Sequence, residues 1–144
     1  MSSHSTARFA AVLFSVLGAL PAAALDLTIT VKGIRNAKGK IAALAFVTKD
    51  GFPDQVPKAQ AQAIVDAKLG TVTLTLKDVP AGKIAVAILH DEDANGKLNR
   101  ALFGIPLEGV GMSGKPLGNR PPTFDDVVFE VTKSQKLEIA LKYW

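Results

Sequence analysis

The sequence predicts an all-β fold, an antiparallel β-sandwich of six to seven strands interrupted by one long irregular loop. Three observations carry this. Apolar and polar residues alternate with period two in several short segments, the pattern of strands that bury one face. Gly, Pro and Asn turns separate these segments at roughly ten-residue spacing, as in antiparallel sandwiches. No segment after residue 24 carries a helical apolar stripe over three turns.

Residues 1–24 read as a secretory leader. His4 and Arg8 lie in a short polar start without acids, residues 9–20 form an apolar stretch, and Pro21 precedes the small residues Ala22, Ala23 and Ala24. The apolar stretch is well short of the roughly 20 residues that span a bilayer. Cleavage is therefore expected after Ala24, leaving residues 25–144 as the sandwich domain, with no transmembrane segment and a periplasmic or secreted destination. The chain has no Cys, so an exported domain of this kind stabilises itself by core burial alone. The net charge of +4 comes from scattered Lys and falls by one when Arg8 leaves; no basic run marks a nucleic-acid surface.

Residues 26–32 (DLTITVK) place Leu27, Ile29 and Val31 on one face. Asn36 to Gly39 supply a turn. Residues 40–48 (KIAALAFVT) are apolar on both faces, as in a central strand. Residues 50–54 (DGFPD) interrupt the pattern. Residues 59–68 read two ways: the Ala content favours one short helix, whereas Ile64 and Val65 fit an edge strand. Residues 71–77 (TVTLTLK) alternate again, and Val79 to Gly82 turn the chain into residues 83–90 (KIAVAILH). Residues 126–132 alternate through Val127, Phe129 and Val131, and residues 136–143 through Leu137, Ile139, Leu141 and Tyr143. These strands are too short and too few for an outer-membrane barrel.

The stretch from His90 to Pro122 is the long loop, and loops of that length in a small domain are functional or disordered. Its opening, DEDANGKLN at residues 91–99, is chemically distinctive. Hard divalent cations need several oxygens converging on one point. Asp91, Asp93 and Asn95 stand at positions 1, 3 and 5 of a calcium-loop pattern, Gly96 permits the turn at 6, the Lys97 carbonyl falls at 7 and Asn99 at 9. The bidentate acid of position 12 is missing, since Leu102 stands there, so the expected site is a shortened calcium loop with weak affinity. The same residues also make good turn chemistry without a metal.

With this loop the chain resembles a known family. Residues 90–99 (HDEDANGKLN), then Phe103-Gly-Ile-Pro-x-Glu-Gly109, then residues 121–126 (PPTFDD), with DGFP at 50–53 and VPAG at 79–82, together look like the bacterial "domain of unknown function 2141" family. The resemblance implies an exported bacterial protein, a sandwich of the transthyretin or immunoglobulin-like type, and no established activity. The family often has Asp where this chain has Asn99.

The inventory of reactive groups is thin. After residue 24 the only His is His90 and the only Ser residues are Ser113 and Ser134. Ser113 has no nucleophile-elbow surroundings, and one His is too few for a catalytic zinc. Gly109 to Gly114 lack the Lys and the helix of a phosphate loop, and read as tight-turn residues. Asp125 and Asp126 read as strand-start residues that cap amides or meet Arg120. Phe103, Met112, Leu117 and Phe124 offer apolar contacts in the long loop, either for a ligand or to pin the loop down as a satellite core with Ile105. The expectation is an exported, non-enzymatic binding or accessory module with calcium as its cofactor and an envelope or extracellular protein or carbohydrate as its partner. A metal-free structural or interaction domain is the alternative, and a hydrolase using His90 with Asp91 or Asp93 is the third reading.

Overall fold

The computed structural model describes residues 18–19, 23–115, 118 and 120–144. Most of the expected leader, and Leu117, lie outside these residues.

Among the described residues, eight strands form two packed sheets. The first sheet is built from β1 (Ala24–Ile34), β4 (Gly70–Pro80) and β8 (Gln135–Ala140) in the order β4-β1-β8. The second runs β3 (Ala61–Asp66), β2 (Lys40–Phe46), β5 (Gly82–Asp91) and β6 (Gly109–Met112). β7 (Phe129–Val131) pairs with the opening residues of β5. No helix among the described residues is long and apolar enough to cross a membrane.

The alternating residues do what period two requires. Leu27, Ile29 and Val31 of β1 and Leu74 and Leu76 of β4 meet Ile41, Ala43, Ile84, Val86 and Ile88 of the opposite sheet in one core. The outward faces of β1 and β4 carry threonines, with Thr28 opposite Thr75 and Thr30 opposite Thr73. β2 is apolar on both faces because its second face is also covered. Leu44 and Phe46 join Ala87, Leu89 and Val110 in a second cluster, roofed by Phe52, Val56, Leu98, Met112 and Phe124. Phe52 meets both Phe46 and Phe124 edge to face at 5.6 and 6.0 Å. Phe124 thus pins the loop as a satellite core, whereas Phe103 and Ile105 stay in water.

Of the two readings of residues 59–68 the edge strand is the one that forms, over residues 61–66, because pairing along β2 from Lys40–Asp66 to Ala45–Ala61 outweighs the helix preference of Ala. Other elements differ from the expectation. The short helix lies instead at α1 (Phe124–Val127), where Thr123 and Asp126 form a capping box, so the strand expected from residue 126 begins at Phe129. β1 and β8 pair in parallel, from Leu27–Gln135 to Lys32–Ala140, while the other strand pairs are antiparallel.

β6 is an additional strand inside the long loop. It lacks apolar alternation because its glycines serve close approach. A Cβ on Gly109 would lie 2.5 Å from the Tyr143 ring, and one on Gly111 would lie 2.8 Å from the Ala140 carbonyl. Neither glycine is in the left-handed conformation expected of a tight turn; Gly114, at φ +84°, is. Val110 and Lys142 then exchange backbone hydrogen bonds at 3.0 and 2.9 Å, tying the two sheets together along this side.

Candidate functional site

β5 delivers Asp91 to the end of the second sheet, opposite Lys40, and the acidic loop starts there. Asp91 is almost fully buried. Its Oδ1 accepts the Asn95 N–H at 3.1 Å and its Oδ2 the Gly96 N–H at 2.7 Å. Ala94 and Gly96 adopt left-handed backbone, φ +56° and +75°, which turns these amides inward. Asn95 Oδ1 accepts the Lys97 N–H at 2.9 Å in a further Asx turn. Asp93 stands exposed at the rim. Its Oδ2 accepts the Asn99 side-chain amide at 2.8 Å and the Asn95 amide at 3.2 Å, and the Asn99 contact leads in holding the Asp93 carboxyl below its ordinary range.

The chain then makes an excursion and returns. Asn99 accepts the Leu107 N–H at 2.9 Å, and Arg100 bridges Pro106, so that the next residue, Glu108, comes back under the loop. Glu108 is only 3% exposed. Its Oε1 accepts the Glu92 N–H at 2.9 Å and its Oε2 the Asn99 N–H at 3.0 Å, so one carboxylate holds both ends of the loop.

Asp91, Asp93 and Glu108 each place a carboxylate oxygen within 4.8 Å of the others. No Lys or Arg pairs with any of the three among the described residues. Asp26, Asp50, Asp54, Asp66, Glu92, Asp126 and Glu138 each have such a partner. Like charges this close oppose one another's ionisation unless donors or a cation offset them. The expected ligands are therefore divided. Asp91 and Asp93 converge, and Glu108 joins them. Asn95 and Asn99 turn their amide nitrogens toward Asp93, and Lys97 enters through its N–H. Glu108 stands 17 residues beyond Asp91, outside any loop-spacing pattern. Its one local signal is a lone acid between apolar Leu107 and Gly109-Val110.

A second polar layer anchors the loop from below. Arg35 grips Glu92 with Nε at 2.6 Å and Nη2 at 2.7 Å, and Asn36 adds an amide at 2.8 Å. The Arg35 fork holds the Glu92 carboxyl down at about 2, from an ordinary 4.5. His90, fully buried, donates Nε2–H to the Lys38 carbonyl at 2.8 Å, which leaves Nδ1 to accept the Tyr143 hydroxyl at 2.8 Å. Its hydrogen-bond partners are thus the β1–β2 turn and Tyr143, while from the acidic loop the Glu92 carboxylate approaches Nδ1 only to 3.9 Å. Ser113 is engaged elsewhere, donating to the Val127 carbonyl and accepting the Val86 N–H. Asp126 accepts the Thr123 N–H at 2.7 Å and a two-pronged Arg120 contact at 2.8 Å, the capping role expected of it.

A pH effect follows from Glu92. A carboxyl lowered in the folded state adds stability above its unfolded value and loses it as pH falls through the folded one. Wild type is expected to lose about 2 kcal/mol more than Glu92→Gln between pH 5 and pH 2, allowing for solvent screening of half-exposed Arg35. Urea melts of both proteins across that range measure it; parallel curves would contradict it.

The loop, the returning Glu108 and the strands beneath them lie within one matched segment, residues 29–139, whose description is "Uncharacterized protein conserved in bacteria (DUF2141)". The chain belongs to this family. No curated protein and no solved structure matches it. The family match takes in Asp91, Asp93 and Glu108 together with Arg35, Glu92 and His90, and leaves Tyr143 beyond its end.

Proposed function

We propose that this DUF2141 domain is an exported, non-enzymatic binding or accessory module of the periplasm or extracellular space that holds calcium weakly in its acidic loop. The observation that carries the reading is three carboxylates, two of them buried, with oxygens within 4.8 Å and, among the described residues, no basic side chain paired with them. Glu108 supplies the acid that the loop spacing lacks at position 12. All ligand candidates are hard oxygens, which suits calcium rather than a thiol- or imidazole-seeking metal. Each carboxylate oxygen that accepts one N–H keeps a second lone pair for an ion.

One observation favours a second reading, a metal-free structural or interaction domain. Asp91 and Glu108 already accept two backbone N–H groups each, so the loop is stapled without an ion. We place no catalytic role on His90, whose ring is enclosed and engaged at both nitrogens.

Calcium titration separates the two. A three-carboxylate site of this kind has an expected Kd of about 10⁻⁴–10⁻³ M. At 10 mM calcium and a Kd of about 1 mM, linkage adds roughly 1.4 kcal/mol, a rise in Tm of about 5 °C. Asp93→Asn, at an exposed position, is expected to abolish the rise and leave the metal-free Tm within about 2 °C. Absence of both heat and thermal shift at 10 mM calcium would leave the metal-free reading standing.

A further inference from the structure

The excursion between Asn99 and Leu107 also shapes a pocket away from the three carboxylates. Phe103 is 93% exposed at its tip, held in left-handed backbone at φ +62°, a conformation that costs a non-glycine residue about 1–3 kcal/mol. The ring is held in water instead of folding onto the sandwich. Beside it lies a pocket of about 350 Å³, whose walls include Phe103, Ile105, Met112 and Trp144. That volume and apolar lining are those of a small-ligand site.

The polar groups of this pocket have one sign. Arg100 and Arg120 line it, and no carboxylate does among the described residues. Each guanidinium is fixed in place. Arg100 bonds Asp54 at 2.6 Å and the Gly104 carbonyl at 3.0 Å, and Arg120 bonds Asp126. Asp54 and Asp126 are not part of the wall. Preset guanidinium donors beside an apolar surface complement a ligand with an apolar body and one anionic group.

We propose that this pocket binds a small amphipathic anion, its apolar body against Phe103, Ile105 and Trp144 and its charged group at Arg100 and Arg120. The proposal is independent of whether the acidic loop takes calcium, and its test is run with chelator present.

Trp144 is the only Trp of the chain and lines the pocket, so its fluorescence reports occupancy directly. Octanoate and 1-octanol, alike in apolar body and different in charge, are titrated by fluorescence and by calorimetry. Octanoate is expected to bind saturably and about tenfold tighter than octanol, the difference of one or two charge-assisted hydrogen bonds. Arg100→Gln and Arg120→Gln are expected to erase that preference, and Phe103→Ser to weaken both ligands. Phe103 is too exposed for its loss to unfold the domain, so this variant holds even if an arginine variant folds poorly. Equal affinity for octanoate and octanol, or octanoate binding that Phe103→Ser leaves unchanged, would overturn the proposal. So would the absence of saturable octanoate binding by either method, or a response to anionic phospholipid vesicles alone, which would make this face a membrane contact.

Discussion

Gly39→Ala is expected to cost about 3–5 kcal/mol and to lower Tm by more than 10 °C, the largest effect of any single methyl group in this domain. Gly39 sits at φ +68° in the turn between β1 and β2, and a Cβ there would lie 1.9 Å from the Asp91 carbonyl oxygen and within 2.8 Å of Glu92 backbone. Both are main-chain atoms, so no side-chain rotation relieves the overlap. Either the turn leaves the end of β5, breaking the Lys40–Asp91 register, or β5 carries the start of the acidic loop out of place. Gly39 also accepts the Ala67 N–H at 3.1 Å, so the strand following β2 is disturbed as well. Gly96→Ala is the control: φ is +75°, but nothing among the described residues lies within 4 Å of the new methyl. It carries only the left-handed backbone penalty of about 1–2 kcal/mol. Thermal melts of the two variants within about 3 °C of each other would refute this account.

Glu108→Gln separates holding the loop from holding a cation. The substitution keeps the shape of the side chain but replaces one acceptor oxygen with a donor that faces a backbone N–H, from Glu92 or Asn99. Burial at 3% exposure leaves that N–H no water to turn to. The expected loss is about 2–4 kcal/mol without calcium, together with loss of the calcium-dependent rise in Tm. Asp93→Asn is expected to lose only the rise. Amide hydrogen exchange gives the finer readout: in Glu108→Gln the amides of Glu92 and Asn99 lose protection while those of β1 and β4 keep theirs. A Glu108→Gln variant as stable as wild type would mean that this carboxylate does not hold the loop.

Most of the strands were legible along the chain, and so were the turn at Gly39, the acidic loop and the capping role of Asp126. β6 was not, because Gly109 and Gly111 are there to admit Tyr143 and Ala140 from a distant segment. Asp91 and Asp93 were readable as a pair two residues apart at a turn. Their third partner was not, because a loop-spacing pattern ends where the local chain ends. His90 was readable as a strand-end histidine, but Tyr143 and the Lys38 carbonyl reach it from opposite ends of the domain.

The order of residues alone determined which faces of the alternating strands, such as β1 and β4, are buried, since side-chain direction alternates with every residue and needs no knowledge of the partner. It likewise determined that a cluster of oxygen-bearing side chains would stand at one turn. Only the folded path decided which strands become neighbours, that β8 runs parallel to β1, that Glu108 closes the acidic cluster, and that Phe103 is left in water beside two arginines. Those outcomes rest on contacts between residues far apart in the chain, whose closeness is set by how the sheets stack, and no local periodicity encodes it.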